Sequence, residues 1–73
     1  MIAMELIPML NMNSRVKINR YMSGWDTTHQ VYAVLYYGCT GQIKQVNEHS
    51  YECVMDDYPD YVFLVNKDWV DAE

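Results

Sequence analysis

Seventy-three residues suffice for one domain and not for two, so a single unit over 1–73 is expected. The chain is 51% hydrophobic, with seven Tyr, two Trp and one Phe, which excludes an intrinsically disordered chain; no apolar run approaches the ~18 residues of a membrane-spanning helix. The formal charge of −5 is unevenly spread: residues 1–47 carry +2 and residues 48–73 carry −7, so the second half repels phosphate and attracts basic surfaces.

The opening segment, Met1 to Met12, is apolar but holds Glu5 and Pro8 and has neither a basic leader nor a small-residue cleavage site. It is therefore expected to be no signal peptide, and the protein to be cytoplasmic, with Cys39 and Cys53 as reduced thiols packed like small hydrophobes. Residues 1–13 are expected to form an arm or a short helix, which Pro8 keeps from growing. Arg15 to Tyr21 alternates polar with apolar residues, the period-2 pattern of a half-buried strand. Ser23-Gly24-Trp25-Asp26-Thr27-Thr28 has the composition of a loop. Gln30 to Tyr37 is rich in β-branched and aromatic residues and predicts a strand.

Gly38-Cys39-Thr40-Gly41 predicts a tight turn, because glycine tolerates positive φ. Gln42 to Val46 predicts a third strand, Asn47 to Ser50 a turn and Tyr51 to Met55 a fourth strand. Asp56-Asp57-Tyr58-Pro59-Asp60 predicts another turn, and Tyr61 to Val65 a fifth strand. Asn66 to Val70 predicts a C-terminal helical turn that Asn66 caps. The whole reads as mostly β: about five short antiparallel strands in a small closed or partly closed barrel spanning 15–70. Its expected core is Val16, Ile18, Val31, Ala33, Leu35, Ile43, Val46, Cys53 and Phe63. Several of Tyr32, Tyr36, Tyr37, Tyr51, Tyr58, Tyr61 and Trp69 are then left partly exposed.

Residues 15 to 70 resemble the SH3-like barrels of the prokaryotic and KOW type. The resemblance is carried by Val16 and Ile18, by Gly38-Cys39-Thr40-Gly41-Gln42-Ile43 (close to a G-x-T-G-x-I turn), and by Tyr51-x-Cys53-x-Met55 followed by Asp56-Asp57. Phe63 and Trp69-Val70 complete it. It implies a fold more than a function. Many KOW-type modules are basic and bind nucleic acid, whereas this chain is acidic. The run Ala33-Val34-Leu35-Tyr36-Tyr37 is similar to the A-L-Y-D-Y run of eukaryotic SH3 domains, but it lacks the aspartate, and the paired tryptophans of a proline-peptide groove are absent.

Candidate chemistry is sparse. His29, Cys39, His49 and Cys53 form an H-x9-C-x9-H-x3-C set, unlike the close ligand pairs of standard zinc knuckles. Asp56, Asp57 and Asp60 lack the glycine and closing glutamate of a calcium loop. No thiol–base–orienter set stands out for nucleophilic catalysis. The expectation is thus a non-enzymatic module without cofactor or metal that binds a protein with a basic surface. Its contact residues are expected to be Asp56, Asp57, Tyr58, Asp60, Tyr61 and Trp69, because aromatic anchors ringed by charge typify binding hot spots. In size, acidity and simplicity the chain looks like small inhibitors carried by phages and mobile elements, of the anti-restriction or anti-CRISPR type, docking on a nucleic-acid-handling protein. One alternative is a KOW-like nucleic-acid- or ribosome-associated module using Arg15, Lys17, Arg20 and Lys44. Another is a small metal-binding regulatory domain.

Overall fold

The computed structural model describes residues 10–73. The arm or helix expected over 1–13 lies outside the described residues up to position 9. From Leu10 onward the chain packs against the core and then turns through Asn13, whose positive φ of 70° suits asparagine.

Among the described residues, seven strands form one antiparallel sheet: β1 (Arg15–Ile18), β2 (Met22–Asp26), β3 (Val31–Leu35), β4 (Thr40–Val46), β5 (Ser50–Met55), β6 (Tyr58–Asn66) and β7 (Val70–Ala72). Their order is β3-β2-β6-β5-β4-β1-β7. The mostly β antiparallel reading holds, but the expected closed or partly closed barrel of about five strands is corrected: the described residues form two more strands, and their sheet is not closed, with β3 and β7 at its ends. The expected C-terminal helical turn is a single 3-10 turn, Lys67–Trp69, after which the chain re-enters the sheet as β7. The Asn66 side chain accepts from the Asp68 N–H at the start of that turn.

The supposed loop 23–28 is strand as far as Asp26. Its local composition says loop, but pairing to β3 on one side and β6 on the other overrides that preference. The expected turn at 56–60 shrinks to Asp56-Asp57, and Tyr58 to Asp60 belong to β6. There Pro59 has no N–H to give to a ladder. Between the Cys53↔Phe63 and Met55↔Tyr58 pairs, β6 places residues 59–62 opposite Val54 alone, a wide irregularity.

The glycine turn is corrected too. Only Gly38 has positive φ (91°), while Thr40 and Gly41 already belong to β4. Gly41 is needed for closeness: a Cβ there would lie 2.6 Å from the Val54 carbonyl oxygen and 2.9 Å from Met55 Cα.

The core consists of Val16, Ile18, Leu35, Ile43, Tyr51, Cys53, Met55, Phe63, Val65 and Val70. Val31 and Val46, expected inside, are 43% and 40% exposed because they sit at the far ends of β3 and β4. Tyr51, one of the seven aromatics of which several were expected to be partly exposed, is buried, and its ring carries the Lys67 ammonium 5.3 Å from its centroid.

Candidate functional site

The tip of the β2–β3 hairpin is organised by Asp26, which is 0% exposed. Its Oδ1 accepts from the Thr28 N–H (3.0 Å), the Thr28 hydroxyl (2.6 Å) and the Val62 N–H (2.9 Å). Its Oδ2 accepts from the His29 N–H (3.0 Å) and faces His29 Nδ1 at 2.5 Å. Burial alone would push this carboxyl up, but hydrogen bonds from the Thr28 hydroxyl, the Val62 and Thr28 N–H groups and His29 outweigh it. The group is held well below the ordinary carboxylate value. The Val62 N–H lies in the irregular stretch of β6 and finds its acceptor here, so one carboxylate ties the hairpin tip to the widened strand. Gln30 closes the tip with a positive φ of 56°, donating its N–H to the Asp26 carbonyl.

An aromatic chain runs from that tip. The His29 ring lies 4.6 Å from Tyr61, Tyr61 lies 5.4 Å from Tyr58, and both tyrosines pack against Phe63. The Tyr58 hydroxyl donates to the Val34 carbonyl on β3 at 3.4 Å. On the outer side of the hairpin, Trp25 meets Tyr32 at 4.9 Å with the rings tilted by 58°, and Tyr21 meets Tyr36 edge-on at 6.0 Å. Tyr21, Tyr32, Val34, Tyr36 and Tyr37 are each at least half exposed. The stretch from Gln30 to Cys39 contains no charged residue.

The residues expected at a protein-binding surface therefore divide. Asp57 and Asp60 are exposed beside Tyr58 and Tyr61, and these four are brought together. Tyr58 and Tyr61 are half-buried and partly serve the core through Phe63. Asp56 is committed elsewhere: both its oxygens accept from Arg15 (2.9 and 2.5 Å), and the Thr40 hydroxyl donates to it at 2.6 Å. The Arg15 guanidinium, with help from Thr40, holds the Asp56 carboxyl down at about 2. Arg15 also bonds Glu73 at 2.8 Å, and both carboxylates push its own pKa up. Trp69 is apart from the turn, at the other end of β1, with the Arg20 guanidinium 5.5 Å above its ring. Tyr32, Tyr36 and Tyr37 were among the aromatics expected to be partly exposed, but neither the hairpin face as a contact surface nor the Asp26 network was expected. The uncharged Tyr/Val run was the available signal for the first.

The four residues of the H-x9-C-x9-H-x3-C set are dispersed: His29 at the hairpin tip, His49 in the β4–β5 turn, Cys53 inside β5 and Cys39 before β4. Among the described residues, no group of three or more His, Cys, Asp or Glu is placed to hold a metal ion, and they enclose no pocket. Burial pushes the Cys53 thiol up to about 12, so it is a protonated core group. No helix among the described residues is long and apolar enough to cross a membrane. No protein-family model, curated protein or solved structure matches the chain.

Proposed function

We propose that this chain is a small, acidic, non-enzymatic protein-binding module that acts in the cytoplasm and docks on a basic partner through the β2–β3 hairpin and the adjoining Asp57–Tyr61 segment. The observation that carries the reading is the uncharged, aromatic-rich outer face of the hairpin, bordered by exposed carboxylates. Isolated exposed hydrophobics are ordinary, but here Tyr21 meets Tyr36, Tyr32 meets Trp25, and Val34 lies two residues from Tyr32 on β3, and Tyr is enriched where proteins bind proteins. The SH3-like resemblance draws support from connectivity. Strands β1, β4, β5, β6 and β7 make a five-strand set with a 3-10 turn before the last, and the β2–β3 hairpin is an excursion from it. A phage or mobile-element inhibitor of the anti-CRISPR or anti-restriction type is one role such a module would fill, occupying a surface that otherwise takes nucleic acid.

The nucleic-acid reading has less to stand on. Of the basic set Arg15, Lys17, Arg20 and Lys44, Arg15 is neutralised by two carboxylates, which leaves Lys17, Lys44 and an Arg20 that lies over Trp69 to meet phosphate. Affinity capture followed by identification of the bound protein tests the proposal. Tyr32→Ala with Tyr36→Ala, and separately Asp57→Lys with Asp60→Lys, should each lose the captured protein, while Lys44→Ala retains it. Retention by both double variants, or salt-sensitive binding of the chain to bare nucleic acid, would count against it.

A further inference from the structure

Among the described residues, no strand pairs with the outer edge of β3. Its inner edge is hydrogen-bonded to β2. The Thr27 N–H reaches the Val62 carbonyl, so the odd-numbered residues of β2 point their backbone groups at β6, and Gly24 and Asp26 point theirs at β3. Gly24 pairs with Ala33 and Asp26 with Val31, so Ala33 and Val31 face β2. Tyr32 and Val34 consequently turn their N–H and C=O groups outward, which is where the Tyr58 hydroxyl meets the Val34 carbonyl. Edges of this kind are normally protected by charge, proline or brevity. The β7 end is protected that way: it is three residues long, carries Asp71 and is followed by the Arg15–Glu73 pair. The β3 edge has neither charge nor proline along its length.

We infer that this edge receives an extended, lysine- or arginine-rich segment of a partner protein as an added strand, with Asp57 and Asp60 meeting its basic side chains. The inference rests on the proposed protein-binding function and specifies its mode. Charge selects the occupant. The Tyr58 hydroxyl meets the Val34 carbonyl and the Thr28 hydroxyl donates to the Asp60 carbonyl, so the segment that carries the exposed Asp57 and Asp60 runs beside the hairpin. A second copy of a chain carrying −5 would bring like charges to that border, whereas a basic strand neutralises them. Main-chain bonds to the Tyr32 N–H and C=O and to the Val34 N–H would supply register, and the tyrosine rings lateral contact.

The test uses the full chain and a synthetic peptide of alternating lysine and valine, with an alternating glutamate and valine peptide as control. The lysine peptide should shift the amide NMR resonances of Tyr32 and Val34 and slow their hydrogen exchange. The glutamate peptide should bind at least 10-fold more weakly. Val34→Pro removes an outward N–H and costs no bond to β2, and it should weaken the lysine peptide about 10-fold or more. Because mapping on the unmodified chain needs no variant, misfolding of Val34→Pro would not blur the result. No binding of the lysine peptide up to about 1 mM, or shifts confined to residues away from β3, would overturn the inference. A concentration-dependent dimer with slowed exchange at Tyr32 and Val34 would overturn it in favour of a second copy. If the captured protein is lost with Tyr32→Ala and Tyr36→Ala but kept with Val34→Pro, the edge inference fails while the protein-binding reading stands.

Discussion

Asp26 and Asp56 are both ionised in the folded chain, and they answer to different surroundings. Asp26 is enclosed and receives backbone N–H groups from residues 28, 29 and 62. Replacing it by asparagine turns one acceptor oxygen into a donor, so either the Thr28 and Val62 donors or the His29 donors face an N–H. Asp26→Asn should therefore lower the melting temperature more than His29→Ala does, and whichever backbone amide faces the new N–H, that of Val62 or that of His29, should lose hydrogen-exchange protection. Asp56 is exposed and paired with Arg15. Its folded pKa lies below its unfolded value, about 2 against 3.8, so the unfolded chain binds the proton first on acidification. The stabilisation is present above pH ~4 and is lost as pH falls toward 2. In urea titrations across that window the midpoint should fall with pH, and Asp56→Asn should flatten the fall. Since solvent screens this pair, the effect should also shrink with added salt.

At the scale of elements, β4 and β5 are held close by Gly41. A valine there would drive its Cβ into the Val54 carbonyl and Met55 Cα, both backbone-bound and unable to swing aside. Gly41→Val should cost on the order of 2 kcal/mol or more, measured by chemical denaturation, because overpacking at a backbone contact cannot be relieved by a rotamer change. The sequence marked this glycine as intolerant for the wrong local reason, a turn. The same pattern recurs along the chain. Strands whose alternation or β-branched content reflects their own burial, such as Arg15–Ile18 and Ser50–Met55, were legible. Met22–Asp26 was not, since it is strand by virtue of partners in β3 and in the distant β6. Nor was the widened start of β6, where Pro59 looks like a turn residue and the missing ladder bond is replaced by Asp26, a residue 36 positions from Val62. Of the candidate surface, the cluster of Asp57, Tyr58, Asp60 and Tyr61 was visible as a short segment. The ion pair that removes Asp56 from it spans 41 positions and had no local signature.

For the molecule as a whole, the question is how aromatic contact and charge share the work of binding. Tyr58 and Tyr61 are poor probes of this, because their rings pack on Phe63 and truncation would loosen the core together with the surface. Tyr32 and Tyr36, at 70% and 58% exposed, separate the two effects. Truncating a desolvated aromatic anchor typically costs about 2 kcal/mol of binding and acts on the dissociation rate. Exposed carboxylates such as Asp57 and Asp60 act mainly through attraction at a distance, which speeds association and fades as the Debye length contracts below about 10 Å above 0.1 M salt. Measured by surface plasmon resonance against the captured partner, Tyr32→Ala with Tyr36→Ala should raise the dissociation rate at every ionic strength. Asp57→Asn with Asp60→Asn should slow association at low salt and converge on the unmodified chain near 0.5 M, at which the screening length is only about 4 Å. The opposite assignment, in which the tyrosine variants bind normally and the carboxylate variants fail at all salt concentrations, would mean that buried ion pairs at the turn carry the interface and the hairpin face is merely exposed.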